Sequence, residues 1–300
     1  MSRFLFLAAL LLSLPGTPLA QPPSLSSLWP NADGASWEYR QRLEVADWSE
    51  GGADTSEAQV RLRLDGTLVV PGDIETQNLI EEVLSPAPAP SRGAPSGLSS
   101  LLRNVWIARP DLRKAIEARA PRRAAGEEPL WESVILHGGP YRKTTSEIAT
   151  WRDNAVAVKS WIFLTSVLSP GSTFDLQLIP DLATDVYLHG TVGGAEDVTV
   201  PAGTFPGCLR VTYWVDYGES ECVGPGGPDP LGTFRARSDG HILYAPNVGP
   251  VMSFEELTFT EVTGDCGVVP DEVAVRVVLQ LTQGPVPVEP VTWGSLKARP

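Results

Sequence analysis

Apolar and polar residues alternate with a period of two along most of the chain, which is the pattern of strands with one buried face. Ser36 to Trp48 alternates around Trp37, Tyr39 and Leu43. Ala58 to Leu64 and Leu68 to Val70 flank Asp65-Gly66, a hairpin signal because both central positions tolerate positive φ. Ile74 to Leu84 fits more than one period. Further strands are expected at Trp131 to Leu136, Tyr141 to Trp151, Ala155 to Thr165, Thr173 to Ile179, Val186 to Val192, Glu196 to Val200 and Leu209 to Tyr217. Thr233 to Ala236, His241 to Tyr244, Met252 to Val262 and Val273 to Leu281 complete the series, with Asp239-Gly240 as a second expected hairpin turn. Short strands at near-even spacing, punctuated by Gly, Pro and Asp, imply an antiparallel sheet.

One stretch breaks the pattern. Residues 85 to 128 open with a Pro/Ala/Ser linker, SPAPAPSRGAPSG, which cannot hold a ladder. Helical signals follow between residues 98 and 120. Pro110 and Asp111 sit at the start of the second helical piece, Arg119 at its end, and Leu112 and Ile116 on one face. The tail from 284 to 300 is Pro-rich and reads as extended. The expected fold is mainly β: a curved antiparallel sheet or open half-barrel, one domain from 25 to 283, with a short helical insert.

Residues 1 to 20 read as a secretory signal peptide. Arg3 is the charged start, Phe4 to Leu14 the apolar core, Pro15-Gly16 the helix break, and Ala20 precedes the expected cut. The apolar core falls short of the about 20 residues a spanning helix needs. An uncleaved anchor is the alternative, and Pro18 departs from the small residue usual three positions before a cut. No later apolar run suggests a membrane span. The expected location is periplasmic or secreted.

The 300 residues carry a net charge of −13, with 20% charged and 42% hydrophobic residues. That supports a sizeable core. An acidic chain without a basic cluster argues against nucleic acid and anionic membrane surfaces as partners.

Export permits a disulfide, and three cysteines allow at most one internal bridge. Cys208 lies in an alternating run and reads as a buried thiol. Cys222 and Cys266 lie in Gly-rich, turn-like stretches and are the expected pair; three free thiols are the alternative. No Cys or His spacing marks a metal site, and no cofactor is expected. His137, His189 and His241 form no ligand motif. There is no nucleophile elbow and no phosphate-binding glycine loop. Asn31 to Gly34 reads as a turn rather than a calcium loop. Carboxylates are plentiful, and Glu127/Glu128, Glu255/Glu256 and Glu219/Glu221 could supply a glycosidase-like carboxylate pair. Nine tryptophans, at 29, 37, 48, 106, 131, 151, 161, 214 and 293, fill a core, line a cavity or form an exposed row.

Three local patterns carry a resemblance. They are L-W-P-x-x-x-G-x-x-W-x-Y-R from Leu28 to Arg40, V-P-A-G-T-F-x-x-C-x-x-V from Val200 to Val211, and Y-A-P-x-V-G-x-V from Tyr244 to Val251. In order and spacing the chain resembles a group of exported bacterial β-rich proteins and lipoproteins of unknown function. The resemblance implies an exported antiparallel sheet and no chemistry. The chain departs from the group in its helical insert and in lacking a lipid-anchor Cys. In physical terms Pro201 to Gly203 and Pro246 to Gly249 are turns. Phe205, Leu209, Val211, Tyr213, Tyr244 and Val251 then enter the core.

The reading is a non-enzymatic exported protein that binds an apolar small molecule or a cell-envelope protein. A structural, interaction or carbohydrate-binding module is the alternative, and an extracellular hydrolase the third. An apolar cavity points to the first, an exposed aromatic row to partner or sugar binding, and two close carboxylates in a cleft to the hydrolase.

Overall fold

The structure is a computed structural model that describes residues 23–29, 33–46, 53–85, 139–153, 158–166, 168–179, 186–223, 230–264 and 273–285. Among the described residues a single helical turn, α1 (Leu25–Leu28), precedes twelve strands. These are β1 (Ser36–Ala46), β2 (Ala53–Val70), β3 (Ile74–Ser85), β4 (Gly139–Lys143), β5 (Glu147–Asp153) and β6 (Val158–Thr165). They continue as β7 (Thr173–Ile179), β8 (Val186–Val200), β9 (Gly203–Val223), β10 (Pro230–Ala245), β11 (Gly249–Thr260) and β12 (Val273–Gln283).

All twelve form one antiparallel sheet, in the order β6-β5-β4-β3-β2-β1-β12-β11-β10-β9-β8-β7. The chain walks outward from β1 to one edge at β6, restarts at the far edge with β7, and returns strand by strand to pair β12 with β1. The two edge strands are consecutive in sequence and approach each other. No ladder joins them among the described residues, so the curled sheet stays open. This is the expected curved antiparallel sheet. The expected helical insert, the signal segment and residues 286–300 of the tail lie outside the described residues, as does the expected strand at Trp131 to Leu136.

The period-two pattern explains the packing. Trp37, Tyr39, Gln41 and Leu43 of β1 are buried, while Arg40 and Arg42 between them are exposed. In β11 the alternation runs without a break from Val251 to Thr260. The buried side chains of β1, β2 and β8 to β12 form one core on the inner face. Phe205, Leu209, Val211, Tyr213, Tyr244 and Val251 pack into it or against it as expected.

The turns at Pro201-Ala202 and Pro246 to Val248 stand where the sequence places them. Asn247 and Gly249 take positive φ of 63° and 98° there. The two Asp-Gly signals do not make turns. Asp65-Gly66 lies inside β2, where the register with β3 shifts between Leu64 and Thr67. Gly66, at φ 70°, supplies a bulge, and its N–H donates to Asp33 Oδ1 at 2.8 Å. The chain turns instead at Pro71 to Asp73, with Gly72 and Asp73 at φ 90° and 56°. Asp239-Gly240 lies inside a continuous β10. Gly240 stands opposite Tyr213, whose ring fills the space a side chain would take. Two further expectations change in the same spirit. Tyr141 to Trp151 is split by the Thr144 to Ser146 turn, where Thr144 Oγ1 accepts from the N–H of Ser146 and of Glu147. Val186 to Val200 is one strand, with a register shift between Val192 and Ala195 at Gly193-Gly194.

Gly240 gives a sharp test of this packing. A Cβ there would lie 2.6 Å from Tyr213 Cζ and 2.7 Å from the Phe254 carbonyl oxygen, whereas one at Gly194 meets nothing within 4 Å. Gly240→Ala is expected to cost about 1–3 kcal/mol in urea unfolding, and Gly194→Ala to leave the midpoint close to wild type.

Candidate functional site

The inner face at the α1 end is filled by the protein itself. Leu25, Leu28 and Trp29 are buried, and Trp29 stacks on Tyr141 and Trp37 with ring centroids 5.2 and 6.5 Å apart. The Trp37 indole N–H donates to the Val248 carbonyl at 2.6 Å, and the Tyr39 hydroxyl donates to the Pro250 carbonyl at 2.9 Å. Lys143 Nζ donates to the Trp29 carbonyl at 2.8 Å, and burial lowers its pKa. Burial also pushes the Tyr39 and Tyr244 hydroxyls well above the usual phenol range. Trp29 and Trp37 are therefore core residues.

Trp214 points the other way. It lies on the outer face of β9, in one register row with Asp175, His189, Asp239, Glu256, Arg276 and Glu44, which crosses the sheet from β7 to β1. Antiparallel pairing at matched parity is what lines them up, since residues opposite each other share a face. The His189 ring stacks on Trp214 at 3.9 Å with 26° between planes. Asp175 fixes the imidazole by accepting from Nδ1 at 2.7 Å. The Arg237 guanidinium covers Trp214 at 4.7 Å from the ring centroid. Asp239 grips that guanidinium with both oxygens, at 2.7 and 2.6 Å, and this hydrogen bonding raises the Arg237 pKa. Tyr187, 37% exposed, adds a ring 6.3 Å from His189.

The same arrangement recurs two strands further on. His241 stacks on Phe254 at 5.3 Å and 22°, and the Arg276 guanidinium lies 6.0 Å from the Phe254 centroid. Arg276 Nε donates to Glu256 at 2.6 Å and its Nη1 to Glu44 at 2.8 Å, and these bonds, Glu256 first, raise its pKa. Burial, with help from Arg210, lowers the His241 pKa. In each case the His stands directly opposite the aromatic residue, and the Arg lies on the next strand, two residues before the aromatic residue's partner. Beside Phe254 the outer face is hollowed into a groove of about 450 Å³, lined chiefly by Arg40, Arg42, Glu57, Phe254, Arg276 and Gln280.

The other residues singled out from sequence disperse. Glu255 is buried on the inner face and accepts from the Tyr213 hydroxyl at 3.2 Å, while Glu256 faces out, so adjacency in sequence gives no carboxylate pair there. Glu219 is exposed; the Glu221 side chain, Glu127, Glu128 and His137 lie outside the described residues. Asp33 caps the Gly66 bulge. Cys208 is free and buried, its thiol donating to the Phe205 carbonyl at 3.3 Å. Of the expected Cys222 and Cys266 pair, only the Cys222 backbone is described, opposite Gly232. Among the described residues no group of three or more His, Cys, Asp or Glu is placed to hold a metal ion, and no helix is long and apolar enough to cross a membrane. The His–aromatic–Arg stacks were hidden in the sequence because their members lie far apart in it. Trp214 stood out as one of nine tryptophans, and His189 and His241 as two of three histidines, but nothing tied them to the arginines.

No family model and no curated protein matches the sequence. Two solved structures are similar over most of the chain. One is described as a lipoprotein of Parabacteroides distasonis: 11% identity, 86% of this chain and 97% of that one covered, TM-score 0.34. The other is described as an exported protein with a YmcC-like fold from Bacteroides fragilis: 13% identity, 86% and 98% covered, TM-score 0.33.

The two tryptophan environments predict opposite mutational costs. Trp37→Ala is expected to cost about 3–5 kcal/mol in chemical unfolding, and Trp214→Ala about 1 kcal/mol or less. Cys208 is testable by alkylation. Burial, then Glu196 and Asp197, push its thiol up to about 11. At pH 8 Cys208, followed by peptide mapping, is expected to react slowly in the native protein and rapidly in the urea-unfolded chain.

Proposed function

We propose that this chain is an exported, non-enzymatic binding protein of the cell envelope that engages a protein partner through the outer face of its sheet. Export rests on residues 1 to 20, and the location is periplasmic or secreted. The observation that carries the binding reading is the aromatic and arginine ribbon from Tyr187 through His189, Trp214 and Arg237 to His241, Phe254 and Arg276. Aromatic residues and Arg are the side chains enriched in the energetic centres of protein interfaces. Their conformational entropy is already spent, because each ring is stacked and each guanidinium is held by carboxylates.

A second reading, carbohydrate binding, is favoured by the groove beside Phe254. Its wall of arginines, glutamates and one glutamine around an aromatic floor offers the planar polar groups that hydroxyl-rich ligands use. A His and an Arg already lie against the rings of Trp214 and of Phe254, which leaves less ring surface for sugar stacking and ranks this reading second. An apolar ligand has its counterpart in neither the filled α1 end nor the polar groove.

A photo-crosslinking side chain placed at Tyr187, with Thr67 on the exposed β2 bulge as the control site, tests the partner reading in cells exporting the full chain. One discrete protein adduct is expected from position 187 and none from 67, and Trp214→Ala with Arg237→Ala should remove it. Identical adducts from both sites, or an adduct indifferent to the double substitution, would refute the outer-face interface.

A further inference from the structure

The core contains polar side chains that the outer-face reading does not use. Gln41 of β1 and Ser253 of β11 are each 1% exposed on the inner face. Both stand opposite Leu279 of β12, one from each side. Neither amide atom of Gln41 has a hydrogen-bond partner among the described residues, and neither has Ser253 Oγ. Burying an amide without a partner is costly, and native proteins almost always satisfy such groups. Three unsatisfied polar atoms on two residues that flank the same leucine are a single unfilled demand.

The surroundings define what would fill it. Tyr39 and Leu43 lie on either side of Gln41 along β1, and Val251 and Glu255 on either side of Ser253 along β11, all buried. Glu255 is engaged by the Tyr213 hydroxyl and Tyr39 by the Pro250 carbonyl. Strands two places apart are separated by about 9.5 Å; the long Tyr39 side chain spans that gap to the Pro250 carbonyl, whereas Gln41 and Ser253 make no such bond, and the gap is narrow enough for a molecule to bridge them. Gln supplies two donors and an acceptor, and Ser one donor and an acceptor. Both are neutral, so a net charge brought between them would lack a counter-charge from either.

We propose that the inner face carries a binding site, clasped by the Gln41 amide and the Ser253 hydroxyl over Leu279, for a small neutral molecule that both donates and accepts hydrogen bonds. Water is the smallest molecule of this chemistry, and a small alcohol or amide is the next. The site is independent of the outer-face interface, because it lies on the opposite side of the sheet.

Stability measurements on the full exported chain separate the alternatives by sign. Gln41→Met keeps the length of the side chain and removes its polar atoms, and Ser253→Ala is the smallest possible change. If the groups hold a molecule, each substitution lowers Tm by about 2–4 °C, and the double variant falls by less than the sum, because both residues serve one occupant. If the groups are unpaired, removing them leaves Tm unchanged or raises it, and the proposal fails. Ser253→Ala keeps the test alive should Gln41→Met not fold. Native mass spectrometry then identifies the occupant. An extra mass lost in either variant assigns an organic molecule, and a bare mass with the lowered Tm assigns water.

Discussion

A sheet of twelve strands has two faces and only one chain to cover them. Without a second layer among the described elements, the inner face must be buried against itself, and it is: the sheet curls until its edge strands approach and its inner side chains meet in one core. This one-sided burial is the constraint from which the rest follows. It demands alternation in nearly every strand, because a register slip of one residue would turn a core face outward. It also demands curvature, which regular pleated strands with bulky side chains on the concave side resist.

The curvature is accommodated by glycines paired with large rings. Gly190 stands opposite Phe174, and Gly240 opposite Tyr213, each ring lying where the glycine has no side chain. Both glycines fall in the same register row, which continues through Glu255 and Val277 to Leu43. Crowding on the inside of the bend is thus relieved along a line across the strands, which is where a curling sheet needs it. The α1 turn and Trp29 close one end of the interior with contacts reaching β1, β4 and the β10–β11 turn. Residues distant in sequence share this plug because the β1–β12 pairing brings the first and last strands together.

This explains which features were legible in the sequence. Period two is imposed by one-sided burial, so strands such as Thr173 to Ile179 and Val273 to Leu281 could be read almost residue by residue. Asp-Gly was misleading because it signals a backbone able to take positive φ, not a reversal of the chain. At Gly66 the positive φ makes a bulge, and at Gly240 the glycine is needed for the absence of a side chain. The burial of Trp37 and the exposure of Trp214 are equally regular, but their faces depend on which strands become neighbours. The His–aromatic–Arg stacks needed the register as well as the strands. Asp175, His189, Trp214, Asp239 and Arg276 become a row only when five hairpin offsets are fixed together, and no local signal fixes those.

The outer face shows what the same constraint leaves free. A surface that contributes nothing to the core needs only to be soluble, and isolated ion pairs would suffice. Here two half-buried arginines, Arg237 and Arg276, are instead held over rings, in two copies related by a shift of two strands. Exposed ion pairs and cation–π contacts are worth too little to stability to account for that organisation. What they do supply is rigidity in side chains that would otherwise sweep freely. Because the sheet is convex on this side, an approaching partner meets it along a strip, and the two stacks from β8 to β12 lie in one such strip. Ordering these side chains in advance lowers the entropic cost of contact without requiring any of them for folding. The face that folds the protein and the face suited to binding are thereby separated by a single strand's thickness, and alternate residues of the same strands serve each.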